Sequence, residues 1–141
     1  MQYVSMFLVI GSSLFYHISQ KSISGQSNPV VSMLMTYMTA LMATGLLLFV
    51  FPMERNSVFV ELKTLNWASY VLGIAIVGLE MGFLLVYRSG WAVSVAGVFS
   101  NVIVALLLIP IGLYFFKDKI DISTVFGVVL CLIGLYLINR K

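Results

Sequence analysis

The sequence predicts an all-α integral membrane protein, a bundle of five transmembrane helices. Three observations carry this expectation. Of 141 residues, 61% are apolar and only 9% charged, and mean hydropathy is +1.07. Water-soluble domains carry roughly 25% charged residues and need them to coat their surface. The apolar residues gather into runs near the length of about 20 that crosses a bilayer core as a helix. Charges and turn formers separate these runs. A helix satisfies its own backbone in lipid, whereas a barrel needs about 8 strands or more.

The first run, residues 3–19, contains Ser12, Ser13 and His17. It lacks a basic n-region and an A-x-A cleavage pattern, so it reads as a retained span rather than a removed signal peptide. The polar loop "QKSISGQSNP" follows and ends at Pro29. Proline suits the first turn of a helix, where its missing N–H is not needed, so the second span is placed at 29–51. The longest loop, "PMERNSVFVELKTLN", holds two acids and two bases, and its "SVFVEL" is expected to lie at the interface as a short helix.

The third span is placed at 67–87 and the fourth at 91–116, separated only by "RSG". Trp67, Tyr87, Trp91 and Tyr114 fall near span ends, where aromatic residues anchor at headgroup level. Pro110 is expected to kink or loosen the fourth span. The turn "KDKID" leads to the fifth span, 122–139. Asp121 is placed to accept hydrogen bonds from the first turn of that helix. The pairs Gly78/Gly82 and Gly127/Cys131, and the series Ala92, Ala96, Ser100, have the small-xxx-small spacing that lets helices approach closely in lipid. Cys131, the single cysteine, reads as a small packing residue, since no disulfide partner or metal-type spacing accompanies it.

Five crossings put the termini on opposite sides. The loops on the N-terminal side carry Arg55, Lys63, Lys117 and Lys119; the other side carries Lys21, Arg88, Arg140 and Lys141. The eight bases thus divide four against four. Orientation normally follows a Lys/Arg excess on the cytoplasmic face, and no such excess exists. The formal charge of +3 and pI near 9.1 come from bases placed singly in loops, which gives no nucleic-acid footprint.

One acid stands apart. "AIVGLEMGFLLVY", residues 75–87, holds Glu80 in an otherwise uncharged run, about 10 Å from the span end at 1.5 Å per residue. A mid-span acid costs about 2.5–3.5 kcal/mol to insert, so such residues face a bundle interior or a wet cavity. Burial disfavours the charged form. A carboxyl in that position can hold a proton or a cationic solute, but not both, which is sufficient for proton-coupled antiport. The alternative is a neutral acid hydrogen-bonded to a neighbouring helix. Gly73, Ile76, Val77, Phe83, Leu84 and Tyr87 share its face. Phe83 and Tyr87 are either an aromatic wall for a cation or ordinary packing. His17 is a candidate proton relay or an interfacial residue. Asn101, mid-span and on a face with Ser94 and Gly97, is interhelical glue or a site residue. The candidate solute- and proton-binding set is therefore Glu80, Tyr87, Asn101, Ser94 and His17. No nucleotide loop, metal cluster or nucleophile–base pair is legible, so no enzyme, metal or cofactor is expected.

Residues 94–141, with Pro110, the turn Lys117–Asp118–Lys119, Gly127 and Gly134, resemble the end of an EamA-type unit of the drug/metabolite transporter superfamily. "YHISQKS" and "WASYVLGIAIVGLEMGFLLVYRSGW" also fit, so the resemblance extends along the whole chain. The family turn usually reads Leu-Gly-Glu-Arg, and Asp118 and Lys119 depart from it. The resemblance implies half of a ten-helix inverted-repeat transporter, completed by a partner of which an inverted copy is the simplest. It implies a bacterial inner-membrane homodimer, antiparallel by preference, that exports or exchanges a small organic metabolite or cationic drug-like solute; the proton coupling expected of it comes from Glu80. In the four-span small multidrug resistance relatives the coupling glutamate lies in the first span, where this chain has His17 and no acid. The role expected of Glu80 therefore rests on burial physics alone. A lipid-linked sugar flippase subunit and a non-transporting scaffold or accessory subunit are the alternatives.

Overall fold

The computed structural model describes residues 2–23, 25–52, 58–117 and 121–138. Four of the eight bases in the charge balance, Arg55, Lys119, Arg140 and Lys141, lie outside the described residues, as do Asp118 and Asn139. The described residues form helices and connecting turns, with no strand among them. In order, the helices are α1 (Gln2–Ser22), α2 (Pro29–Leu47), α3 (Val58–Leu62), α4 (Trp67–Arg88), α5 (Val93–Ile111) and α6 (Ile122–Ile138). A π-helical turn, Gly112–Phe116, extends α5.

Among the described residues, three helices are long and apolar enough to cross a membrane: Pro29–Leu47, Trp67–Arg88 and Val93–Phe116. This fits a helical membrane protein. The flanking helices differ in kind. α1 has 21 residues but is diluted by Ser12, Ser13, His17, Ser19, Gln20 and Lys21. α6 is strongly apolar and has 17 residues.

Local chemistry sets the helix ends. Asn28 caps α2, its side chain accepting from Val30 N at 2.9 Å and Val31 N at 3.4 Å, with Pro29 in the first turn. Asn66 accepts from Ala68 N at 3.1 Å at the start of α4. Asp121 opens α6 as the sequence suggests, accepting from Ile122 N at 2.8 Å and from the Ser123 hydroxyl at 3.0 Å. Between α4 and α5 the turn is made at Gly90, whose φ of +98° suits a residue without a side chain. Pro110 has no N–H to give the Leu106 carbonyl, and two residues later α5 widens into its π-helical turn. That turn ends at Lys117, left-handed at φ 56°, whose N–H bonds the Gly112 carbonyl.

The chain divides into two compact units, Ile18–Arg88 and Met1–His17 with Ser89–Lys141. In the first, α2 packs against α4. Burial is concentrated at one end: Met33 on α2 and Glu80, Leu84 and Tyr87 on α4 are buried. Residues 67–79 and 38–47 are exposed throughout. In the second unit α5 packs against α6, and Ala96, Gly97 and Gly112 are buried on α5 and Leu135 on α6.

Two packing expectations are corrected. A Cβ at Gly78, Gly82 or Gly127 would meet nothing within 4 Å, so those small residues admit no close helix neighbour within the described chain. Cys131 is exposed rather than packed. The faces that carry them are left to whatever surrounds the chain. The short helix expected in "SVFVEL" is α3, Val58–Leu62.

Candidate functional site

The 3.6-residue period places Glu80, Leu84 and Tyr87 on one stripe of α4, at spacings of four and three residues. This is the buried stripe of the helix, with Glu80 8%, Leu84 1% and Tyr87 4% exposed. The acid therefore shares the face that Leu84 buries most completely, and it turns away from the exposed face that includes Ile74 and Leu79.

Next to Glu80 lies an open-sided cavity of about 350 Å3, lined by Tyr37 and Ala40 of α2 and Gly73, Ile76, Val77 and Glu80 of α4. Small residues make the room: a Cβ at Gly73 would meet nothing within 4 Å. Its volume falls at the lower end of the roughly 300–1,000 Å3 typical of small-molecule sites. Among the described residues the Glu80 carboxylate has no hydrogen bond or ion pair. Its charge is close enough to act on the Tyr37 hydroxyl. An apolar cleft with one acid can hold a proton on that acid or a positive group against it.

At the buried end of this unit the contacts are polar and specific. Arg88 donates to the Ser27 carbonyl at 2.9 Å and the Ser27 hydroxyl at 3.2 Å. Lys21 donates to the Tyr87 carbonyl at 3.2 Å. A cation at the last carbonyls of a helix complements both the unpaired acceptors and the dipole. The Lys21 ammonium also lies 5.8 Å from the centroid of the Tyr87 ring, which stacks on Phe83 at 5.8 Å and 27°. The aromatic pair that the sequence offers as a cation wall thus faces a cation of the chain itself, and neither ring lines the Glu80 cavity.

The other candidates belong to the second unit. His17 is half-buried with its Nε2 3.5 Å from the position a Cβ on Gly97 would take, and its ring meets Tyr16 edge-on at 5.2 Å. Gly97 gives the imidazole its seat against α5. Ser94 and Asn101 are exposed on α5. Glu80 and Tyr87 are thus placed on one face of one helix, while His17, Ser94 and Asn101 fall in the other unit, where only His17 is packed against α5.

Tyr37 is the residue that sequence reasoning missed. It is the ninth residue of the 19-residue α2, far from the span ends where tyrosine normally anchors. That depth is its signal. Its position opposite Glu80 depends on the register of α2 against α4, which periodicity within one helix does not give.

Comparison with protein-family models, with curated proteins and with solved structures finds no match for this chain. Fold and site define a helical protein with three helices of membrane-crossing length among the described residues and a cleft between two of them that one acid lines.

Proposed function

We propose that the chain is a proton-coupled secondary transporter of a small organic solute, with Glu80 as the switch between proton and solute. The observation that carries this reading is Glu80, a residue 8% exposed within a membrane-length helix, its carboxylate lining a cavity and without a hydrogen bond or ion pair among the described residues. Structural glue needs a bonded neighbour, because a buried charge or polar group left unpaired is destabilising. An acid that trades a proton for a passing solute needs a cavity instead, and it has one.

The exposure pattern supports alternating access. The α2/α4 cleft is closed at the end where Met33, Leu84 and Tyr87 are buried and where Lys21 and Arg88 tie the loop and helix ends. It is exposed along residues 38–47 and 67–79. Glu80 stands at the boundary between the two halves. A proton on Glu80 lets the cleft reset empty, and a bound cation replaces that proton, so the two are carried in opposite directions.

In this reading α1 and α6 also cross the bilayer, giving five spans in a bacterial inner membrane. A second, inverted copy completes the carrier. The amide of Asn101, exposed midway along α5, supports association, since an amide at that depth is stabilised by a hydrogen-bonding partner on another helix. The test uses purified protein in liposomes that enclose a pH-sensitive dye, challenged with a panel of small amines and neutral solutes. Proton movement is expected to require both a solute and Glu80, and to be absent in Glu80→Gln. Equal solute-driven proton movement in Glu80→Gln would contradict the proposal.

A further inference from the structure

We propose that the α2/α4 cleft is a primary-ammonium site, in which Glu80 takes the positive charge and the Tyr37 hydroxyl accepts an N–H hydrogen bond. The proposal rests on the transport reading and names its substrate class. Two polar groups carry it. The Tyr37 hydroxyl is buried with no hydrogen-bond partner among the described residues. The Glu80 carboxylate is likewise without a hydrogen bond or ion pair among them. Both residues line one cavity of about 350 Å3, and the charge of one acts on the hydroxyl of the other.

The neighbouring hydroxyls sharpen the contrast. Thr36, Thr39 and Thr44 of α2 each bond the carbonyl four residues back, to Ser32, Met35 and Ala40, at 3.1, 2.9 and 2.8 Å. Such bonds satisfy a threonine inside its own helix. A tyrosine hydroxyl, carried beyond the ring, cannot reach its own backbone in this way. Buried polar groups in native proteins nearly always have partners, and an exception calls for a missing one.

The chemistry of that missing partner follows from the lining. An anion is repelled by Glu80. A polyol needs several hydrogen-bonding groups, and the rest of the lining is Ala40, Gly73, Ile76 and Val77. A quaternary ammonium satisfies the charge but has no N–H for Tyr37. A primary ammonium has three N–H donors on one centre, one for each polar group and one to spare. Its organic body must be compact and apolar to fill the space against Ile76 and Val77.

Phenethylamine, its N,N,N-trimethyl derivative and 2-phenylethanol test the assignment, because they share a body and differ only at the head. Binding of each to the purified full chain is measured by equilibrium dialysis, and proton movement is read in proteoliposomes of the same preparations. The wild type is expected to hold phenethylamine about tenfold tighter than the trimethyl compound, the effect of one hydrogen bond to a charged group. Tyr37→Phe should remove that gap while leaving the trimethyl compound within about twofold of its wild-type affinity. Glu80→Gln should weaken both cations by about 100-fold and leave the alcohol unchanged.

Equal binding of the two cations by the wild type, a gap that survives Tyr37→Phe, or no amine binding would each overturn the ammonium assignment. Glu80-dependent proton movement would leave the carrier reading standing in all three cases. Conversely, the expected binding pattern with no amine-driven proton movement would overturn the carrier reading and keep the site.

Discussion

Replacing Arg88 by methionine should open the closed end of the α2/α4 cleft. The side chain contributes two charge-assisted bonds to Ser27, at 2.9 Å to its carbonyl and 3.2 Å to its hydroxyl. Bonds of this type contribute about 1.5–3 kcal/mol each. The second is long and the site is only partly buried, so about 2 kcal/mol is a reasonable total. That corresponds to a factor of about 30 between closed and open forms. Methionine keeps the apolar stem, so the loss is that of the guanidinium. Met33, 6% exposed at the same end, is the reporter: Met33→Cys in a Cys131→Ser background, labelled by a membrane-impermeant maleimide added from the Lys21/Arg88 side. Labelling in Arg88→Met should rise by up to about 30-fold. Lys21→Met removes the 3.2 Å bond to the Tyr87 carbonyl, together with the ammonium beside the Tyr87 ring, and loss of that bond alone should give about fivefold, from about 1 kcal/mol. Unchanged labelling in Arg88→Met would refute the latch.

Three further expectations concern the cleft, the end of α5 and association. Gly73→Leu should fill the cavity, since the glycine faces open space there, and should abolish solute-driven proton movement while leaving the thermal midpoint within a few degrees. Lys117→Gly should relieve the left-handed backbone at φ 56° and raise stability by about 1 kcal/mol, read from chemical denaturation in detergent. Asn101→Leu should shift the protein toward monomer in cross-linking at fixed protein-to-lipid ratio, because an exposed mid-helix amide is replaced by an apolar side chain.

Helix existence was the legible part of the fold. The expected 67–87 and α4 at Trp67–Arg88 nearly coincide, because an aromatic anchor and a charged turn mark the two ends. The sequence places the end of the second span at 51, whereas α2 ends at Leu47 and residues to Phe51 continue only as turns, in a stretch too uniformly apolar to mark its own end. The kink or loosening expected at Pro110 takes the form of a π-helical turn two residues later. Small-residue spacing is a poor guide, since Gly78, Gly82 and Gly127 face open space and only Ala96 of the spaced small residues is buried.

For the site, the position of Glu80 on a buried stripe followed from the physics of an acid in an apolar run. Its helix-face neighbours Gly73, Ile76 and Val77 line the cavity, as periodicity within a single helix can indicate. Phe83 and Tyr87 share that face, yet they stack on each other, with Lys21 over the Tyr87 ring. Lys21 is separated from Tyr87 by 66 residues, and no pattern along the chain announces that contact. Tyr37 was missed for the same reason, since pairing across two helices is a property of their register.

The most direct measurement of the central claim is infrared difference spectroscopy on the reconstituted protein, comparing wild type with Glu80→Gln. The wild type should show a protonated-carboxyl band that is missing in the variant and that converts to the carboxylate form, with proton release, when phenethylamine is added at constant pH. A wild-type spectrum in which that band is absent, or is untouched by the amine, would contradict that claim.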